Sequence, residues 1–166
     1  HINRSLGDYD AAITLYKTAL ALDPSDFTAR LHLSMVQLLV GQWEEGLNNH
    51  EIRLAFYNPL PRNGKPAWDG SDLAGKTIAL FAEQGLGDTI QFVRYASVLR
   101  DKLNAEKVIL YCQDPLYRLM LFADGVDLVL TQAASDYSGY DVMAPLMSLP
   151  YLLHRTGQWS GPGWVP

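Results

Sequence analysis

The stretch Glu83-Gln-Gly-Leu-Gly-Asp-Thr-Ile-Gln91 gathers the residue types best suited to chemistry in this chain. Two carboxylates, Glu83 and Asp88, and two amides, Gln84 and Gln91, surround the glycines Gly85 and Gly87. Glycine tolerates positive φ at little cost, so Gly85 and Gly87 are expected to turn the chain sharply. Asp88 stands where a helix N-cap is expected, and Gln91 follows at the spacing of a capping box. The stretch lacks the Gly-Lys-Ser/Thr ending with which a Walker loop holds phosphate and magnesium. It is also an incomplete dinucleotide fingerprint, because Ile90 fills the third position, where close helix–strand packing wants glycine or alanine. Backbone N–H groups at a helix start favour an anion, and Asp88 already supplies one, so a pyrophosphate there meets repulsion. A carboxylate in that place suits a base or a hydroxyl-binding group. Plain capping by Asp88 is the other reading, and the two roles are compatible. Asp114 lies after a later strand, where a ribose-binding carboxylate could sit, which keeps a dinucleotide-binding protein as an alternative.

The other reactive residue types offer less. The histidines at 1, 32, 50 and 154 show no ligand spacing with one another or with a cysteine, so no metal is expected, and no cofactor. Cys112, the single cysteine, lies in an apolar run with no histidine nearby and reads as a small core residue.

The elements around the stretch follow from pattern. Thr77 to Ala82 is apolar and too short for a helix, which predicts a buried strand. Phe92, Tyr95, Ala96, Leu99 and Leu103 then recur at helical spacing. Lys107 to Gln113 predicts a second strand, and Pro115 with Leu116, Leu119, Met120 and Phe122 a short helix. Val126 to Thr131 predicts a third strand, Tyr140 to Met143 a fourth, and Pro145 to Leu153 a further helix. Strands alternating with helices predict a Rossmann-like, doubly wound parallel sheet over residues 76–156, where ligands bind beyond the carboxyl ends of the strands. Residues 57–75 carry prolines and glycines without periodicity and are expected to be a linker, with Trp68 and Leu73 lying against a neighbouring surface. Residues 157–166 read as an irregular tail.

Before the linker the chain repeats itself. Gly7 and Gly41, Tyr9 and Trp43, and Ala12 and Gly46 are each 34 residues apart, and Pro24 stands where a helix should break. The small residues at 12 and 46 would let paired helices approach closely, with the rings at 9 and 43 filling the space between. Residues 1–56 resemble tetratricopeptide repeats on these features. Three helices are expected: Asp8 to Leu22, Phe27 to Val40, and Trp43 to Phe56. The fold class is therefore α + α/β, helical hairpins followed by the parallel sheet. The repeat helices are expected either to cap the next domain or to receive a protein or peptide partner.

A second resemblance rests on Trp68-Asp-Gly70, Leu73-Ala-Gly-Lys-Thr77, Ala82 to Tyr95 and Pro145-Leu-Met-Ser-Leu-Pro150. These segments look like those of bacterial proteins that join tetratricopeptide repeats to a domain similar to the heptosyltransferases of glycosyltransferase family nine. The resemblance implies the N-terminal half of a two-domain GT-B fold. It makes Asp88 the general base, with Glu83, Gln84, Gly85, Gly87, Thr89 and Gln91 shaping the loop that receives a sugar acceptor. In such enzymes the sugar nucleotide is held mainly by the second domain, so the chain is expected to carry the acceptor side alone and to be inactive by itself. The rival reading is a non-catalytic interaction module in which the α/β part supports the repeats.

Composition narrows the remaining classes. The chain has 166 residues, 48% hydrophobic and 19% charged, as in ordinary globular proteins. A net charge of −5 makes nucleic acid a poor partner. No apolar run approaches the roughly 20 residues that cross a bilayer, and no signal-peptide pattern opens the chain, so a cytoplasmic location is expected.

Overall fold

The computed structural model describes residues 7–61, 63–133 and 139–158. The chain divides into two compact units, His1–Asn58 and Pro59–Pro166.

The first unit is helical. Helix α1 spans Tyr9–Leu22, α2 spans Phe27–Leu39 and α3 spans Trp43–His50. Gly7 and Gly41, one repeat apart, both hold φ near +80° (+80° and +82°), a conformation costly for any residue with a Cβ. Asp8 and Asp26 cap α1 and α2, each carboxylate accepting from the backbone N–H three residues on, at 3.2 and 2.9 Å. Ala12, Ile13, Leu33 and Val36 form the core, with Tyr9, Tyr16 and Leu20 packed on it. Gly46 is where the backbones come closest: a Cβ there would stand 2.9 Å from the Leu38 side chain and 3.1 Å from its backbone nitrogen.

The third helix is shorter than expected, since Glu51–Ala55 tightens into a 3-10 turn. In this turn the buried Arg53 guanidinium donates to the His50 carbonyl at 3.3 Å and pairs with Glu51 at 2.5 Å. A continuing α-helix would give that carbonyl to the amide of residue 54.

The second unit is built on a four-stranded, all-parallel sheet flanked by helices. Its strands are β1 (Thr77–Phe81), β2 (Lys107–Cys112), β3 (Leu128–Thr131) and β4 (Val142–Pro145), in the order β3-β2-β1-β4. That order is the first part of a doubly wound sheet, in which the strand sequence reverses between β1 and β4. Between β1 and β2 the chain forms α4 (Leu86–Phe92), a 3-10 turn (Val93–Tyr95) and α5 (Ala96–Asp101). Helix α6 (Tyr117–Met120) leads to β3, and α7 (Leu149–Arg155) follows β4 after a turn at Leu146–Ser148.

The strands read as continuous apolar runs because both sheet faces are covered. On one face Ala79, Phe81, Ile109, Tyr111 and Met143 cluster with Tyr140, and Leu60 packs against them. The Phe81 and Tyr111 rings stack there in near-parallel planes, 4.6 Å apart. On the other face Ile78, Leu80, Val108 and Leu110 are fully buried. The fourth strand lies two residues later than its sequence pattern implied. Tyr140 lies in the aromatic cluster, its hydroxyl accepting from the Asn63 amide at 2.7 Å, and Asp141 already donates its backbone N–H to the Thr77 carbonyl at 2.9 Å before β4 begins at Val142.

Residues 59–61 and 63–75 have no regular structure of length, and most of them are exposed. Trp68 and Leu73 are buried. Trp68 donates its backbone N–H to Met143 at 2.7 Å, and Met143 donates to Pro66 at 3.1 Å. The outer edge of β4 is thereby covered, which removes a free sheet edge.

Candidate functional site

Every residue of the Glu83–Gln91 stretch falls at or beyond the carboxyl end of β1, beside the reversal between β1 and β4. In open α/β sheets this is the place where ligands bind. Its local geometry differs from the pattern-based expectation in two ways.

First, the glycines do not make the sharp turn. Gln84 does, with φ +58°, whereas Gly85 is extended at φ −84°, ψ 162° and Gly87 lies inside α4. A left-handed conformation costs a non-glycine residue roughly 1–2 kcal/mol. Such residues persist where their surroundings hold them.

Second, Asp88 is not the N-cap of α4. That position belongs to Gly85, and Asp88 is the third helical residue. Asp88 Oδ2 reaches back to accept the Gly85 N–H at 2.9 Å, the carboxylate half of a capping box. Glycine has no side chain to supply the other half. A Cβ on residue 85 would sit 3.1 Å from Asp88 Oδ2, so glycine at 85 leaves room for that carboxylate. The spacing that pointed to Asp88–Gln91 therefore operates one turn earlier, at Gly85–Asp88.

Asp88 is half-buried and uses Oδ2 for the cap. Gln84, Gly85, Gly87 and Gln91 are exposed around it. Glu83 and Thr89 instead point inward, 2% and 0% exposed. Glu83 Oε1 accepts the Met147 backbone N–H at 3.2 Å, and Thr89 donates its hydroxyl to Gln113 Oε1 at 2.9 Å. Of the seven residues singled out, Asp88, Gln84, Gly85, Gly87 and Gln91 thus form a rim, and Glu83 and Thr89 anchor it.

Two glutamines that hold this segment escaped the sequence reading. Gln113, directly after β2, donates Nε2 to the Gln84 carbonyl at 3.4 Å. Gln132, directly after β3, donates Nε2 to the Ala82 carbonyl at 2.6 Å and its backbone N–H to Cys112 at 2.9 Å. The signal was a glutamine closing each of two successive apolar strands, at the ligand-binding end of a parallel sheet.

The described residues that follow the four strands are Ala82 to Gln91, Gln113 to Leu116, Gln132 with Ala133, and Leu146 to Ser148. They include Glu83, Asp88 and Asp114 and no lysine or arginine. Next to them Arg94 donates Nε to the Gln91 carbonyl at 2.7 Å, so a cation borders the rim. Asp114 is exposed at the start of the turn after β2. Cys112 is buried, and burial pushes its thiol above the usual range, with the Asp114 charge adding to the rise, so the sulfur stays protonated and packs as an apolar group. Among the described residues no three or more His, Cys, Asp or Glu side chains gather as metal ligands. Among the same residues no helix is long and apolar enough to cross a membrane.

The fold defines the chain as an α + α/β protein with a parallel sheet. Within it, residues 1–45 match the family model described as TPR repeat, and repeats of this kind offer surfaces for protein partners. No curated protein and no solved structure matches the chain.

Proposed function

We propose that the second unit is the acceptor-side domain of a glycosyl-transfer enzyme with Asp88 as general base, joined to TPR helices that bind a protein partner. The observation that carries this reading is the half-buried Asp88 carboxylate just beyond β1, beside the β1/β4 reversal. Oδ2 is held by the Gly85 N–H, which fixes the orientation of the carboxylate. Oδ1 is then the oxygen for an incoming hydroxyl. As the hydroxyl oxygen bonds to the sugar's anomeric carbon, its proton passes to Oδ1 and the nucleotide leaves with the electron pair of the broken bond. A positioned base of this kind contributes about 10²–10⁴-fold. The amides of Gln84 and Gln91 can donate to and accept from other acceptor hydroxyls. The sequence resemblance to family-nine glycosyltransferases adds the reaction class, and it leaves the sugar nucleotide to a second domain.

The test is a titration of the chain with methyl glycosides and, separately, with UDP-glucose, followed by backbone amide NMR. Glycosides should perturb residues 83–91 and 113–114, and UDP-glucose should leave them unmoved. Micromolar UDP-glucose binding at those residues would overturn the acceptor-side assignment and favour the dinucleotide reading. Glycosides that perturb nothing would favour the interaction-module reading, which the TPR match supports independently.

A further inference from the structure

We propose that Gln113 is the positioning residue of the β1–α4 connection, one amide that grips both ends of the loop carrying Asp88. Its Oε1 accepts from Thr89 Oγ1 at 2.9 Å, and its Nε2 donates to the Gln84 carbonyl at 3.4 Å. Gln84 and Thr89 bracket Gly85, Leu86, Gly87 and Asp88, so the two bonds close a bridge over the segment that presents the carboxylate.

The polarity of the bridge is forced. The Gln84 carbonyl can only accept, so the amide must turn its NH₂ toward residue 84 and its oxygen toward residue 89. The Thr89 hydroxyl, buried with 0% exposure, must then be the donor. No other assignment satisfies all three groups.

The left-handed Gln84 stands at one end of the bridge. Its φ of +58° is unfavourable for a residue with a side chain, and it aims the residue 84 carbonyl at β2, where Gln113 meets it. Gln132 holds the carbonyl of Ala82 two residues earlier. Glutamines from the ends of two neighbouring strands thus hold alternate carbonyls of the segment that leaves β1. Gln113 also reaches α4, through Thr89.

Thr89→Val and Thr89→Ser give the decisive comparison, with Gln113→Leu as a second lesion. Valine fills the threonine volume without a donor, and serine keeps the hydroxyl. Amide exchange by NMR should quicken about tenfold at Gly85 and Thr89 in Thr89→Val and in Gln113→Leu, the size expected for one lost hydrogen bond. In Thr89→Ser it should stay near wild type. The amides of β1 and β2 should keep their protection in all three. Unchanged exchange at residues 85 and 89, or equal quickening throughout the sheet, would overturn the proposal. The importance of the bridge for transfer rests on the function proposed above. The exchange measurement needs no acceptor or donor, so a bridge that behaves as expected in a protein without transfer activity would count against that function only.

Discussion

Glu83 and Met147 join the two sides of the sheet reversal: the carboxylate leaving β1 accepts, at 3.2 Å, the backbone N–H in the turn after β4. Both residues are buried. Loss of this buried acceptor leaves the Met147 N–H stranded away from water. Glu83→Ala is expected to destabilise the protein by about 1–3 kcal/mol, measured by urea unfolding. Glu83→Gln keeps an oxygen for Met147 and should cost clearly less. Equal losses in the two variants would show that side-chain volume, and not this acceptor, is what the position needs.

Two glycines with the same φ of +79° should respond very differently to alanine. A Cβ on Gly125 would lie 2.2 Å from the Ser97 backbone nitrogen, so the chain after α6 must move away from α5. A Cβ on Gly64 meets nothing within 4 Å. Gly64→Ala should cost only the conformational term, about 1 kcal/mol, whereas Gly125→Ala adds an overpacking term of about 1–3 kcal/mol. Thermal melting of the two variants side by side separates strain from collision.

Apolar period and glycine spacing were enough to read the helical unit and the parallel sheet. They work because burial on both faces makes a strand uniformly apolar, and because helix contacts such as Gly46 on Leu38 admit only small residues. What stayed hidden depends on contacts distant in sequence. No local rule would assign the left-handed turn to Gln84 in preference to Gly85, since the carbonyl it redirects is met by Gln113, 29 residues on. The bond from Asn63 to the Tyr140 hydroxyl likewise spans 77 residues. Residues 63–75, within the expected linker, looked featureless because they are held by single side chains such as Trp68, whose indole N–H finds the Ser71 carbonyl at 2.8 Å.

The turn between α1 and α2 gives a prediction in pH. Asp23 accepts from the Ser25 hydroxyl at 2.6 Å and from its backbone N–H at 2.9 Å, and these bonds hold the carboxyl below its ordinary range. A folded pKa depressed in this way contributes stability above the unfolded value, near 3.9, that is lost as pH falls through the folded pKa. Ser25→Ala removes the hydroxyl, the larger of the two causes. The Asp23 carboxyl carbon, followed by NMR, should then titrate at higher pH than in the wild type. A midpoint that stays put would assign the depression to the backbone N–H alone.

The role of Asp88 is separable from its contribution to the fold because Oδ2 and Oδ1 do different things. Oδ2 accepts from the Gly85 N–H and supports the start of α4. Asparagine can keep that bond through its amide oxygen, but its NH₂ cannot take a proton from a hydroxyl. Asp88→Asn should therefore melt within a few degrees of the wild type, whereas Asp88→Ala should lose about 1 kcal/mol along with the cap. If Asp88 is the base, both variants lose transfer by about 10²–10⁴-fold in the full-length protein, assayed with sugar nucleotides and glycoside acceptors. The loss should appear in kcat, with KM for the acceptor nearly unchanged, because the proton moves only as the new bond forms. If Asp88 is only a cap, Asp88→Asn keeps full activity and Asp88→Ala loses activity only in step with its stability.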